Sequence, residues 1–328
     1  MQFRPLGKSG FQISTLSLGT WQVGGKWGSG FDHANAERIL HDAIDAGINF
    51  IDTADVYESG ESEKAVGKVV RERSEQIYVA TKCGRQLNPH TADRYTPEAL
   101  RGFVEESLQR TGLERLDLIQ LHCPPTEIYY RPEIFGLFEQ LQAEGKIGHL
   151  GVSVEKVEEA LKAIEYDNVV SVQIIFNMFR HRPAGLFFEQ ARKRNVGIIA
   201  RVPLASGILT GKYHRDMAFS AGDHRHFNRN GEAFDKGETF SGVPFEIGLD
   251  AAEALKDVLG TQYPLTHWAL AWVLAFDEVS TVIPGASRPE QLHSNLQSLN
   301  LPALTETQLQ AVREIYEEKI KPIVHHLW

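Results

Sequence analysis

The amino-acid sequence predicts an α/β protein folded as a (β/α)8 TIM barrel, with an N-terminal β-hairpin cap and extra helices at the C-terminus. Three observations carry that expectation. Short apolar runs rich in β-branched residues alternate with helical patterns, and eight such runs follow an opening hairpin pattern. Alternation of this kind means parallel strands joined by crossover helices, and strands this apolar suit a sheet covered on both faces. Lastly, no Gly-x-Gly-x-x-Gly turn follows the first strand: Gly24-Gly25 falls in a Trp-containing loop. An open dinucleotide-binding sheet would want that turn, so the closed barrel is preferred. The 328 residues hold a barrel of ~250 residues with insertions, read as one domain over 1–328.

Each element has a local reason. Around Lys8-Ser9-Gly10, residues 3–13 alternate apolar and polar, which predicts a hairpin. The strands are expected at 15–18, 48–52, 77–81, 116–121, 149–152, 170–174, 196–200 and 280–283. Between them, helices are expected at 61–71, 97–110, 132–144, 154–164 and 186–194, after a first one carrying Ile39, Leu40, Ala43 and Ile44 at helical spacing and stopped by Gly47. Pro97 suits a first helical turn. Helices at 245–259, 264–275, 289–297 and 305–318 complete the chain. The polar segment 212–244 is too long for a bare connection and reads as a lid or binding loop.

Composition narrows the function classes. Hydrophobic residues make up 42% and charged residues 23%, ordinary globular values that exclude a collagen-like or disordered chain. Lys+Arg total 34 against 43 Asp+Glu, a net charge of -9, which argues against a nucleic-acid footprint. Cys83 and Cys123 are too few for a disulfide framework and suit a reducing compartment. The opening MQFRPLGKSG lacks a signal-peptide apolar region, and the longest apolar run, 265–276, is broken by Thr266 and His267. No membrane partner and a cytoplasmic location are expected. No motif bears on oligomeric state.

The chemistry is expected at the strand ends, because the C-terminal ends of barrel strands converge on one mouth. Three consecutive strands end in Asp52, Lys82 and His122, and Tyr57 follows Asp52 by five residues. Alone, each is weak evidence; together, about one βα unit apart, they can face one another. A tyrosine is a poor acid at neutral pH, and a neighbouring ammonium lowers its pKa. Lys82 can supply that charge, Asp52 can hold Lys82, and His122 can donate to a carbonyl oxygen. Such a site stabilises and protonates a developing alkoxide. It holds no reductant, so a nicotinamide cofactor must supply hydride.

Phe50-Ile51-Asp52-Thr53-Ala54-Asp55-Val56-Tyr57, Thr81-Lys82 and Leu121-His122 resemble the aldo-keto reductase superfamily, over nearly the whole chain. The resemblance implies that Tyr57 is the general acid, tuned by Lys82 and Asp52, and that His122 orients the carbonyl. Trp21, Tyr57 and His122 then face the substrate. Gly19, Thr20, Trp21, Asp52, Ser153 and Gln173 line the nicotinamide, with Arg201 where many members place an aromatic ring. Val202, Pro203, Leu204, Ala205, Ser206 and Gly207, continuing to Lys212, resemble the pyrophosphate clamp. Gly285, Ser287, Arg288, Gln291 and Asn295 resemble the adenosine end, where Asn295 reads adenine. A Ser and an Arg opening a helix fit a 2′-phosphate, so NADPH is expected in preference to NADH. Val154 replaces an Asn that many members use on the carboxamide. Gly285 and Gln291 replace Lys and Arg, a pattern like the branch of bacterial sugar-type reductases and potassium-channel β subunits.

The expected activity is reduction of aldehydes or ketones by NAD(P)H, with a carbonyl or sugar as the small-molecule partner. Alternatives are the reverse oxidation of a sugar or polyol and, from another class, a cofactor-sensing accessory subunit, against which the lack of a long N-terminal extension speaks. His224-Arg225-His226 and His325-His326 lack a third ligand at metal spacing, so no metal is expected and these are read as solvated loop histidines. Cys83 and Cys123 are read as small packing residues. Trp27, Tyr129 and Tyr130 are placed at the mouth with Trp21, and Asp55 either bonds a substrate hydroxyl or caps a turn.

Overall fold

The fold is described from a computed structural model covering residues 1–25 and 30–328. Trp27 lies outside the described residues. The chain opens with antiparallel strands β1 (Phe3–Pro5) and β2 (Gln12–Ser14), with Arg4 opposite Ile13. Eight parallel strands follow: β3 (Leu18–Gly19), β4 (Phe50–Asp52), β5 (Tyr78–Cys83), β6 (Leu116–His122), β7 (Ile147–Ser153), β8 (Val169–Ile175), β9 (Gly197–Arg201) and β10 (Val279–Val282). They pair in sequence order from β3 to β10. Main-chain bonds close the ring: Ser17 N–H donates to Val282 O at 2.9 Å, Val282 N–H to Thr15 O at 2.9 Å and Gly19 N–H to Pro284 O at 3.2 Å. Gly19 permits this approach, since a Cβ there would stand 2.9 Å from Ile283 O.

The helices pack outside. They are α1 (His33–Asp45), α2 (Glu61–Glu72), α3 (Pro97–Thr111), α4 (Pro132–Ala143), α5 (Val157–Ala163), α6 (Leu186–Lys193), α7 (His224–Phe227), α8 (Phe245–Leu259), α9 (Leu265–Leu274), α10 (Pro289–Gln297), α11 (Glu306–Ile315) and α12 (Lys321–Val324). Their starts are capped as local chemistry requires. Asp32 accepts from Asn35 N–H at 3.0 Å and Thr96 from Ala99 N–H at 3.2 Å. Ile39, Leu40, Ala43 and Ile44 are the buried stripe of α1, as their spacing predicts. No helix among the described residues is long and apolar enough to cross a membrane.

Most boundaries fall within a few residues of expectation; three differ for physical reasons. Helix α5 starts at Val157 instead of 154, because the Glu159 carboxylate takes the N–H groups of Glu155 (3.0 Å) and Lys156 (3.1 Å) and holds them in the entry turn. The last helix passes through a wide turn at Tyr316–Ile320 into α12, next to Pro322, which has no N–H for the ladder. The segment 212–244 carries α7 and tight 3-10 turns. It is held internally by Asn228, whose amide oxygen accepts from Ala233 N–H at 2.8 Å and Phe234 N–H at 2.9 Å.

Period-two alternation sorts the strand side chains. Phe50, Ala80, Leu118, Val170, Ile199 and Ile283 form one apolar group with Leu6 and Ile13 of the hairpin. The hairpin thus plugs the N-terminal end of the barrel. Its turn is tight: Gly7 has φ +50°, and a Cβ there would meet Gly197 N at 2.3 Å. Gly10, also at positive φ (+80°), has nothing within 4 Å. Gly10→Ala should therefore cost about 1 kcal/mol of backbone strain. Gly7→Ala adds a backbone clash and should cost about 3 kcal/mol or more. Urea denaturation of the two variants checks the order; equal losses would contradict the plug.

Candidate active site

Two residues along each strand from the apolar plug, the inward positions turn polar. Phe50 gives way to Asp52, Ala80 to Lys82, and Leu118 to Gln120 and His122. Strand register brings them level: Lys82 pairs with Gln120, His122 with Ser153 and Ser153 with Gln173.

The centre of the group is the fully buried Lys82 ammonium. Its three N–H groups meet three oxygens: Asp52 Oδ1 at 2.5 Å, Thr53 O at 2.8 Å and Tyr57 Oη at 3.1 Å. Asp52 is held in turn, its Oδ2 accepting from Gln120 Nε2 (2.9 Å) and Gln173 Nε2 (2.8 Å). Burial pulls the Lys82 pKa down, but Asp52 and Tyr57 together outweigh it and leave it raised, so the ammonium stays charged. Because Lys82 donates to the Tyr57 oxygen, the phenol's own proton is free to point elsewhere.

The expected sign for Tyr57 is corrected here. Burial, the largest influence, together with the charges of Asp52 and Glu238 outweighs the pull of Lys82 and leaves its pKa raised, so the phenol is a weaker acid than free tyrosine. His122 stands edge-on to it, ring centroids 6.1 Å apart at 85°. Burial, then the charges of Arg85, Lys82 and Arg201, hold the imidazole well below its usual value and therefore neutral. His122 Nδ1 is buried without a partner.

A cavity of about 640 Å³ runs from Tyr57 and His122 to Arg288 and Asn295. Its lining includes Gly19, Thr20, Trp21, Asp52, Ser153, Gln173 and Arg201. Val202, Pro203, Leu204, Ser206, Gly207 and Lys212 line it as well, as do Gly285, Arg288, Gln291 and Asn295. Three expected residues are placed otherwise. Lys82 lies behind the wall, against Tyr57. Ala205 is buried in the core. Ser287 gives its N–H (2.8 Å) and hydroxyl (3.0 Å) to Gln291 Oε1 and is not part of the lining. The Gln173 amide is committed to Asp52 and to Gln120 Oε1 (3.2 Å).

Arg201 is engaged through Nη2, while its Nε is buried without a hydrogen-bond partner. Its Nη2 donates to Glu155 Oε2 at 2.9 Å and Val154 O at 3.1 Å and lies 3.6 Å from Cys123 Sγ; its Nη1 is 3.7 Å from Glu238. Cys123, Glu155 and Glu238 could together hold a metal ion, and the guanidinium is the cation they share. Burial pushes both thiols up, and both are packing groups. The reading of His224 as solvated is corrected. It is buried against Trp21 at 5.0 Å between centroids, and burial pushes its pKa down to about 4. His226 and His326 are exposed, and the partly buried His325 pairs with Tyr316 Oη at 2.7 Å. Tyr129 is buried rather than lining the cavity, and Tyr130 is exposed.

Gln120, Arg85, Glu155 and Glu238 are absent from the sequence reading. Gln120 was findable, because it shares the inward face of β6 with His122. Arg85, Glu155 and Glu238 lie on loops and carry no such periodicity.

A barrel whose rim joins Asp, Lys, Tyr and His in this way defines a carbonyl-handling oxidoreductase architecture. The aldo/keto reductase family model matches residues 15–317, and the chain belongs to that family. It is 30% identical to an oxidoreductase of Bacillus subtilis, YqkF, over 98% of both chains. It is 27% identical to the NADH-specific methylglyoxal reductase of Escherichia coli, covering 95% of this chain and 98% of that one. A probable voltage-gated potassium channel β subunit of Arabidopsis thaliana is 28% identical over 98% of both chains. Aldo-keto reductase AKR11C1 from Bacillus halodurans, in its holo form, superposes with a TM-score of 0.77 at 26% identity over 96% of each chain.

Asp55 neither lines the cavity nor caps a turn. Its carboxyl oxygens are buried without a hydrogen-bond partner. Burial and then the charge of Glu63 push it up to about 7, against the pull of Arg110. An unfolded aspartate titrates near ~4. This group's contribution to stability is therefore complete below that value, falls as the pH rises, and is lost above about 7. Asp55→Asn should raise the thermal midpoint relative to wild type at about pH 8 and give no gain at about pH 4. Thermal unfolding across that range checks it; a gain independent of pH would contradict the assignment.

Proposed function

We propose that the protein reduces aldehydes or ketones to alcohols, with NADPH as hydride source and Tyr57 as the general acid. The observation that carries the reading is the saturation of Lys82. Its three N–H groups are spent on Asp52, Thr53 and Tyr57, which leaves the Tyr57 proton as the donor available to a carbonyl beside His122.

The residues present fit the cofactor. Val202, Ala205, Ser206 and Gly207 all have positive φ, and backbone turned this way forms concave groups of N–H donors that suit phosphate. Lys212 lines the same stretch. Bound reduced nicotinamide supplies the hydride. His122, neutral and with Nδ1 buried, would donate from Nε2 to the carbonyl oxygen. Tyr57 then gives that oxygen its proton, and Lys82 stabilises the phenolate left behind. The raised pKa of Tyr57 keeps it protonated at neutral pH, as a reductive acid needs. Oxidation of an alcohol would need the phenolate instead. The cations Arg85, Lys82 and Arg201 around His122 also favour a neutral reduced ring over a cationic oxidised one. The free thiols suit a cytoplasmic setting, and 212–244 covers the mouth as a lid.

NADPH is favoured by Arg288, exposed at the start of α10 and lining the far end of the cavity. A guanidinium there suits a 2′-phosphate. The E. coli methylglyoxal reductase is NADH-specific, so both cofactors are compared at this residue.

Tyr57→Phe should lower turnover roughly 100- to 10,000-fold while NADPH affinity stays within a few fold; steady-state absorbance of the nicotinamide and fluorescence titration check both. Wild-type turnover would remove Tyr57 as the acid. Arg288→Ala should raise the Kd for NADPH by about tenfold and leave that for NADH nearly unchanged. Equal changes in both Kd values would contradict 2′-phosphate recognition.

A further inference from the structure

Resting on the reading of this cleft as a carbonyl-reducing site, Arg85 says what else the substrate carries. It follows Lys82 by three residues, where Gly84 turns the chain at φ +101°; a Cβ on Gly84 would meet the Tyr95 ring at 2.8 Å. That turn brings Arg85 into the cavity wall with Tyr57, His122 and Phe234. The guanidinium lies 5.7 Å from the Phe234 ring and makes one hydrogen bond to the protein, from Nη1 to Glu238 Oε1 at 3.0 Å. The side chain is 21% exposed, and its remaining donors open on the cleft.

The other arginines of the lining differ. Arg201 is engaged with Glu155, Val154 and Glu238, and Arg225 with Asp223 and Tyr213. Arg288 belongs to the far end. Arg201 also keeps an unpartnered Nε, but that atom is buried and its side chain is 9% exposed; Arg85, at 21%, is the more accessible guanidinium beside Tyr57 and His122. Arg85 and Arg201 share Glu238. The second carboxyl on Arg201, Glu155, is raised by burial and clusters with Glu238 and Cys123. Lys82 is matched by Asp52, and His122 is neutral. Two guanidiniums, Arg85 and Arg201, thus converge on the Glu238 carboxylate.

We propose that Arg85 anchors a substrate anion, and that the preferred carbonyl substrate bears an acidic group, a carboxylate or a phosphate ester. A guanidinium fork takes either through paired N–H···O bonds, which are stronger and more directional than bonds to a neutral hydroxyl. Glu238 holds the fork in place from the covering segment while donors remain for the incoming anion.

The test is the ratio of kcat/KM within two aldehyde pairs, with NADPH: 4-oxobutanoate against pentanal, and glyceraldehyde 3-phosphate against glyceraldehyde. In wild type the anionic member of at least one pair should be favoured by roughly tenfold or more. Preference within the first pair alone marks a carboxylate ligand and within the second alone a phosphate. In Arg85→Gln the ratio should fall toward one, mainly through KM. Arg85→Lys should keep part of it, and added salt should weaken it in wild type. Wild type reducing neutral members as well as anionic ones would overturn the anchor and leave the carbonyl-reductase reading standing. So would an Arg85→Gln variant that loses equally on both members, which marks Arg85 as a mere strap to Glu238. Should that variant fail to fold, a wild-type preference insensitive to salt, or absent from Arg85→Lys, overturns it as well. If no aldehyde of the four is reduced, the reading itself fails and the anchor with it.

Discussion

A buried ammonium with every proton committed organises this protein. Lys82 sits inside the barrel with no solvent exposure, where an uncompensated charge would cost several kcal/mol. Asp52 supplies the counter-charge, and its second oxygen is filled by Gln120 and Gln173. Strands β4, β5, β6 and β8 therefore converge on one polar knot. A slip of one residue in any of them would turn its member outward and strand the rest. The register that aligns Lys82 with Gln120 and Ser153 with Gln173 is thus enforced by chemistry as well as by the apolar plug below.

That knot also sets what Tyr57 can do. Its oxygen already accepts from Lys82, and the phenol is held protonated by its surroundings. Under the proposed reduction, the ammonium's value appears only once the proton has left, when it meets a phenolate it already touches. Preorganised charge of this kind favours the transition state over the ground state. The second group of charges works differently. Burial pushes the Glu238 carboxyl up, but Arg85 and Arg201 outweigh it and bring it down to about 2, so it remains an anion between two cations.

Much of this was legible in the sequence. Asp52, Lys82 and His122 end consecutive strands, and parallel barrel strands end on one rim, so their meeting follows from topology alone. Gln120 obeys the same rule one step deeper, two residues before His122 on the inward face of β6. What was not legible depends on burial or on loops. The pKa of Tyr57 has opposing contributions, and the winner is set by how much water the cleft excludes. His224 sits in a segment of polar composition, yet Trp21, roughly 200 residues earlier, packs against it. The ligands of Arg201 come from the turns after β7 and β9, whose order in space leaves no periodic trace.

Backbone strain follows the same division between the two ends of the barrel. Of the nine non-glycine residues with positive φ among the described residues, Asn195 alone lies at the plugged end, just before β9. Glu58, Ser59, Cys123, Val202, Ala205, Ser206, Phe240 and Ser241 all lie in segments beyond the C-terminal ends of strands. Each such conformation costs on the order of 1–3 kcal/mol and persists only where its surroundings over-determine it. The surroundings do so here: Asn177 Nδ2 donates to Val202 O at 2.8 Å and to Ser241 Oγ at 2.9 Å, and Ser206 Oγ is fixed between Glu238 O and Phe240 N, each at 3.0 Å. The covering segment and the loop after β9 thus hold each other in shapes that neither would keep alone. Stability gathered by the apolar plug and the polar knot offsets strain concentrated where the cleft needs backbone N–H groups turned inward.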